Sequence, residues 1–110
     1  MVLRLSHNEI KEGYSDNAIY VMEYIETGTK EDIIDILFDD PQATLSCTFN
    51  ENSICNASYI FLDNLNEVNT HISYLNKTYK YDFIRNYWVL SDSFLSVKET
   101  KDDICFVSFF

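Results

Sequence analysis

Glycine, proline and basic side chains are all scarce in this chain. Only two of its 110 residues are glycine and one is proline, too few for a Gly-rich loop that cradles phosphate. Eight Lys and Arg stand against 18 Asp and Glu, a formal net charge of −10. Direct binding to nucleic acid is therefore not expected, because that affinity rests on bases neutralising phosphates. No apolar run approaches the roughly 20 residues that span a bilayer. The opening Met1-Val2-Leu3-Arg4-Leu5 gives way to polar Ser6-His7-Asn8-Glu9 without the apolar core of a secretory signal. Three cysteines, Cys47, Cys55 and Cys105, cannot all pair within one chain. They are expected to be reduced, buried thiols of a cytoplasmic protein.

Apolar and aromatic material is abundant. Eight Phe, eight Tyr and one Trp supply enough area to exclude disorder. The length suits one domain, 1–110, with a core that needs no metal or disulfide staple. Charge is uneven. Residues 1–40 hold ten acids and three bases, a net of −7, and residues 41–110 hold eight acids and five bases, a net of −3.

Local patterns divide the chain into a helical acidic part, about 1–40, and a β-rich part, about 41–110. Ser6-His7-Asn8-Glu9 is a capping-box pattern and predicts a helical turn ending at Gly13. Ala18, Val21, Met22 and Ile25 recur at i, i+3, i+4, i+7 and predict a helix from Asp16 or Asn17 to Thr27. Gly28 stands where its left-handed terminator is expected. Thr29 caps a second expected helix, which ends near Asp39 because Asp40 precedes Pro41. On that helix Ile33, Ile34, Ile36, Leu37 and Phe38 cover a wide arc, leaving Glu31, Asp32, Asp35 and Asp39 together in an arc of about 100°.

Beyond Pro41 the period becomes two. Ala43, Leu45, Cys47 and Phe49 alternate with polar residues, and Asn50-Glu51-Asn52-Ser53 is a turn cluster. A strand from Ile54 to Leu62 follows, with Ala57, Tyr59 and Phe61 on one side. A hairpin centred on Glu51 would set Cys47 opposite Cys55. After a polar connection, further strands are expected over Thr70–Asn76, within Tyr79–Leu90 around Arg85-Asn86, and over 94–97 and 104–109. The expected fold is α+β, with N-terminal helices packed on one face of an antiparallel sheet of about four to six strands.

No motif indicates an enzyme. The two imidazoles, His7 and His71, carry no local signature of a nucleophile and its base. Cys-x-x-Cys spacing is absent, and Asp39-Asp40 with Glu31 and Asp35 lack the ligand order of a calcium loop. Catalytic, cofactor and metal sites are not expected. A solvated helix face is one reading of the clustered acids. The other is a docking face for a basic protein. Glu31/Asp35 and Asp35/Asp39 would be like-charge i,i+4 pairs that cost helix stability, with only Lys30 nearby to compensate. The expected partner-binding residues are Glu23, Glu26, Glu31, Asp32, Asp35, Asp39 and Asp40. Tyr79, Tyr81, Phe83, Tyr87 and Trp88 read mainly as core, with one or two exposed rings left over as interface anchors. The terminal Phe106-Val107-Ser108-Phe109-Phe110 could form a sticky edge, so a monomer or weak homodimer is expected.

A small, acidic, glycine-poor and aromatic-rich α+β domain with no signal and no catalytic motif resembles the bacterial immunity proteins. These are the antitoxins encoded beside contact-dependent growth inhibition toxins and other polymorphic toxins. The resemblance spans the whole chain in size and composition. It implies a cytoplasmic protein that binds a cognate toxin domain, often a basic nuclease, and occludes its active site or an adjacent exosite. Three other classes remain: an acidic nucleic-acid mimic that inhibits a DNA- or RNA-binding complex, a small adaptor subunit, and a small enzyme built around His7, His71 or a carboxylate pair.

Overall fold

The computed structural model describes residues 2–14, 16, 18–39, 42–62, 64–99 and 104–110. The chain forms helix α1 (His7–Tyr14), strands β1 (Tyr20–Ile25), β2 (Asp32–Asp39), β3 (Gln42–Phe49) and β4 (Cys55–Leu62), and helix α2 (Leu65–Thr78). Strands β5 (Lys80–Asp82), β6 (Tyr87–Val89), β7 (Phe94–Glu99) and β8 (Ile104–Phe109) follow. All eight strands belong to one antiparallel sheet of order β1-β2-β3-β4-β8-β7-β6-β5. Helix α2 carries the chain from β4, inside the sheet, to the far edge, and three hairpin steps bring it back to β4. The architecture is therefore mostly sheet with two helices, which corrects the expectation of N-terminal helices on a sheet of four to six strands.

Both helices expected between Asp16 and Asp39 are strands. Ile33, Ile34 and Ile36 are β-branched, and such side chains lose rotamer freedom in a helix but pack well on a pleated surface. An apolar run this short fits a helix or a two-sided buried strand equally by periodicity. Here burial is two-sided. Ile34 and Ile36 face the helices, while Ile33 is buried on the other face. Gly28 does not take the left-handed conformation expected of it; the left-handed residue of the β1–β2 turn is Lys30, at φ 60°. The strand expected over Thr70–Asn76 lies within α2. Its core-facing stripe is Val68, Ile72 and Leu75, and Asn64 caps it by accepting from Asn66 N–H at 2.8 Å. Phe106–Phe109 is not an edge, because β8 lies between β4 and β7.

Other local signals hold. Ser6 N–H donates to Glu9 Oε1 at 2.9 Å, and Glu9 N–H donates to Ser6 Oγ at 3.2 Å, the reciprocal pair of a capping box. The hairpins β3–β4, β5–β6 and β7–β8 run where strands were expected. A bulge between Thr48 and Phe49 shifts the β3–β4 register, so Phe49 rather than Cys47 lies opposite Cys55. All three cysteines are buried and unbridged. The Cys47 thiol is pushed up by its hydrogen bond with Cys55 and by burial, so it keeps its proton.

One face of the sheet carries the core. A row crosses it from Ile36 through Leu45 and Ile60 to Phe106, and a second runs Ile34–Cys47–Ser58–Ser108–Leu95–Trp88–Tyr81. Ile10 of α1 packs against the β2–β3 end, and Val68 and Leu75 of α2 pack against Trp88, Leu95 and Phe106. The Trp88 indole N–H donates to Asn76 Oδ1 at 2.9 Å, tying α2 to β6. Among the described residues no helix covers the opposite face, whose rows include Met22–Asp35–Ser46–Tyr59–Val107–Ser96.

Candidate functional site

The sheet has two free edges among the described residues, β1 and β5. An edge strand presents unpaired N–H and C=O groups, which natural proteins usually blunt or cover. Strand β1 and its approach carry Ile19, Met22, Tyr24 and Ile25, all exposed, with Ile25 64% accessible. The helix pattern over 17–27 placed Met22 and Ile25 on a buried stripe. In the strand, Val21 packs into the core while Met22 and Ile25 lie in solvent.

The seven acids expected to form the partner surface are divided by strand geometry. Alternate residues of a strand point to opposite faces. Asp35 and Asp39 therefore share the uncovered face, and Asp32 lies on the other. Four residues of strand also separate Asp35 from Asp39 by about 13 Å, so the like-charge cost of a helical i,i+4 pair does not arise. Asp35 is held in place, accepting from Tyr24 Oη at 3.0 Å and Ser46 Oγ at 2.5 Å. Burial, and then donation to Asp35, push the Tyr24 phenol up.

Glu23 has a structural task. Its Oε1 meets both His7 Nδ1 and Lys11 Nζ at 3.0 Å, clamping α1 to β1. Glu26 and Glu31 lie at the β1–β2 turn, where Glu26 N–H donates to the Glu31 carbonyl at 3.0 Å and Thr29 Oγ1 donates to Glu26 Oε2 at 3.2 Å. Asp32 lines a polar hollow of about 420 Å³ with Ser6, His7, Asn8, Asn52 and Ser53. Asp39 is exposed at the end of β2, and Asp40 lies outside the described residues. The structure thus replaces the single acidic helix face with an acidic hairpin along an exposed apolar edge. Glu26, Glu31, Asp35 and Asp39 border it, and Glu23 and Asp32 belong to the reverse side.

The uncovered face also holds a shallow hollow of about 360 Å³ among Tyr59, Tyr87, Phe109, Arg85 and Lys98, floored by Val107. Tyr87, Phe94 and Phe109 pack as a ring cluster, with centroids 4.6 to 5.8 Å apart. His71 rests edge-on against Phe106 at 4.5 Å, and burial pushes its imidazole down. Among the described residues no group of three or more His, Cys, Asp or Glu side chains is arranged to hold a metal ion. No helix among them is long and apolar enough to cross a membrane. Neither a protein-family model, nor a curated protein, nor a solved structure matches the chain.

Proposed function

We propose that this protein is an immunity protein that acts in the cytoplasm, binding a basic toxin domain and neutralising it by covering its active site or an adjacent exosite. The observation that supports this reading most directly is the β1–β2 hairpin. It combines a free strand edge, four exposed large apolar side chains and a border of carboxylates with only Lys30 among them. Apolar anchors supply the affinity of a protein interface, and complementary charge speeds the encounter and selects the partner. A toxin that cuts nucleic acid must offer a positive cleft to phosphates, and such a cleft fits this border. The acids are not evenly spaced along a helix, so the reading rests on charge together with exposed apolar area and not on imitation of a phosphate row.

The test is affinity capture from the native host with the wild-type chain and with a variant carrying Glu26→Lys, Glu31→Lys and Asp39→Lys. None of these side chains is buried, so the variant should fold. The expected result is a basic protein retained by the wild type, released by salt, and lost by the variant. When expressed alone it should be toxic, and the wild-type chain should protect against it. A basic partner retained equally by both forms, or no protection, defeats the proposal.

A further inference from the structure

The second free edge, β5, differs from β1 in chemistry. The turn that follows it, Phe83-Ile84-Arg85-Asn86, puts two large apolar side chains at the tip of a hairpin. Phe83 is 84% and Ile84 92% accessible. The tip is rigid. Asp82 Oδ1 accepts from Ile84 N–H at 3.0 Å and Arg85 N–H at 3.1 Å, Asn86 N–H donates to the Asp82 carbonyl at 2.7 Å, and Asn86 takes φ 61°. Asn tolerates that left-handed conformation better than most residues. The Phe83 ring is further braced edge-on against Tyr81 at 5.1 Å. Beside the tip lies an open apolar hollow of about 690 Å³ lined by Lys80, Tyr81, Asp82, Phe83, Ile84 and Val89. A hairpin therefore carries, side by side, a projecting apolar knob and a depression able to receive one.

We propose that the β5 edge binds a second copy of this chain, the two β5 strands pairing antiparallel about a two-fold axis at Tyr81. Lys80 and Asp82 are two residues apart and share a face of the strand. Two-fold pairing centred on Tyr81 sets Lys80 of each copy against Asp82 of the other, so the contact is charge-complementary to itself. A lysine on an edge strand ordinarily discourages pairing; here each Lys80 meets an Asp82 whose Oδ2 also accepts from Arg85 Nη1 of its own chain at 3.4 Å, so the carboxylate is shared between the two cations. The knob of each copy then approaches the other's hollow. Long-range repulsion is least at this edge. Lys80 and Arg85 stand beside Asp82, while the acidic hairpin lies at the opposite end of the eight-stranded sheet, several Debye lengths of about 8 Å away. Covering Phe83 and Ile84 removes on the order of 300 Å² per copy. With a three-residue strand contact added, the interface stays below the roughly 1,200 Å² typical of stable complexes. The dimer is therefore a weak, reversible one, and it leaves the β1 edge free.

Sedimentation velocity on the purified chain, from low to high micromolar concentration, tests this without any toxin and so independently of the proposed function. The wild type should pass reversibly from monomer to dimer. The double variant Phe83→Asp, Ile84→Asp should stay monomeric throughout, with unchanged circular dichroism and unchanged Trp88 emission, because neither side chain belongs to the core. Lys80→Asp should weaken association at least about tenfold. A wild type that stays monomeric at the highest concentration overturns the proposal, as does a dimer that survives the double substitution or is indifferent to Lys80→Asp.

Discussion

Replacing Asn76 by alanine isolates a side-chain hydrogen bond between the long helix and strand β6. The Trp88 indole is 3% exposed and its N–H donates to Asn76 Oδ1 at 2.9 Å. An indole nitrogen is a donor only, so losing the acceptor strands a buried donor at a cost of about 1–3 kcal/mol. Two effects reduce that cost. Asn76 is exposed, so water can reach part of the vacated position, and alanine is the better helix former by up to about 0.7 kcal/mol. The net expectation is a loss of about 1–2 kcal/mol. In a domain of this size that lowers the melting temperature by roughly 4–15 °C. Urea unfolding followed by far-ultraviolet circular dichroism reads the loss directly. Trp88→Phe removes the donor, so Asn76→Ala added in that background should cost little or nothing, a coupling of about 1 kcal/mol in the double-mutant cycle. Equal costs of Asn76→Ala in the two backgrounds would refute the hydrogen bond as the link between α2 and β6.

His71 gives a prediction with a definite sign. Burial lowers its folded pKa below the ordinary value of 6.5. The folded state therefore favours the neutral ring, and the stability it gains is complete above the unfolded value and lost as pH falls through the folded one. His71→Phe should flatten the fall in melting temperature below pH 6.5, while the phenyl ring keeps the edge-on contact with Phe106. A pH profile identical to the wild type's would exclude this group as a cause. At the other end of the molecule, Ser6→Ala removes the Oγ that accepts from Glu9 N–H while its own backbone N–H can still donate to Glu9 Oε1, and it should cost about 1 kcal/mol by chemical denaturation. Glu9→Gln, which keeps an acceptor on the same side chain, should cost less. Hydrogen bonds from Ser6 hold the Glu9 carboxyl below its usual range, so its contribution is present above the unfolded pKa and fades as pH falls through the lowered folded one.

Some features whose partners lie close in sequence are legible without the fold. The capping box needs only Ser6 and Glu9, three residues apart, and it formed. Alternation along 42–49 and 55–62 predicts strands because each of these segments has a face whose character differs from its reverse. The same reasoning failed at 20–39, where both faces of β2 bury isoleucine and period two is erased. Ala18, Val21, Met22 and Ile25 matched helical spacing, yet β1 buries one of its faces only in part. Helix α2 was missed: its core-facing residues are Val68, Ile72 and Leu75, and Asn66, Asn69 and Thr70 among them read as a polar connection leading into a strand. The candidate site suffered accordingly. The acids were grouped by a helix geometry they do not have. The apolar edge beside them went unseen, because the exposure of Met22 and Ile25 depends on strand order.

Sequence alone determined the quantities that need no neighbour. These are the net charge of −10, its concentration in the first 40 residues, the aromatic supply for a core, and the Ser6–Glu9 capping box. Tertiary structure decided which faces and edges those residues occupy. A strand has no inside until a neighbour pairs with it and a helix covers one face, and both partners are distant in the chain. Pairing with Leu37 through Asp32 made β1 an edge and turned Met22, Tyr24 and Ile25 outward beside the carboxylates. The crossing of α2 from β4 to β5 likewise left Phe83 and Ile84 at the far margin. The acidic composition became a bordered apolar edge only when the sheet assembled around it.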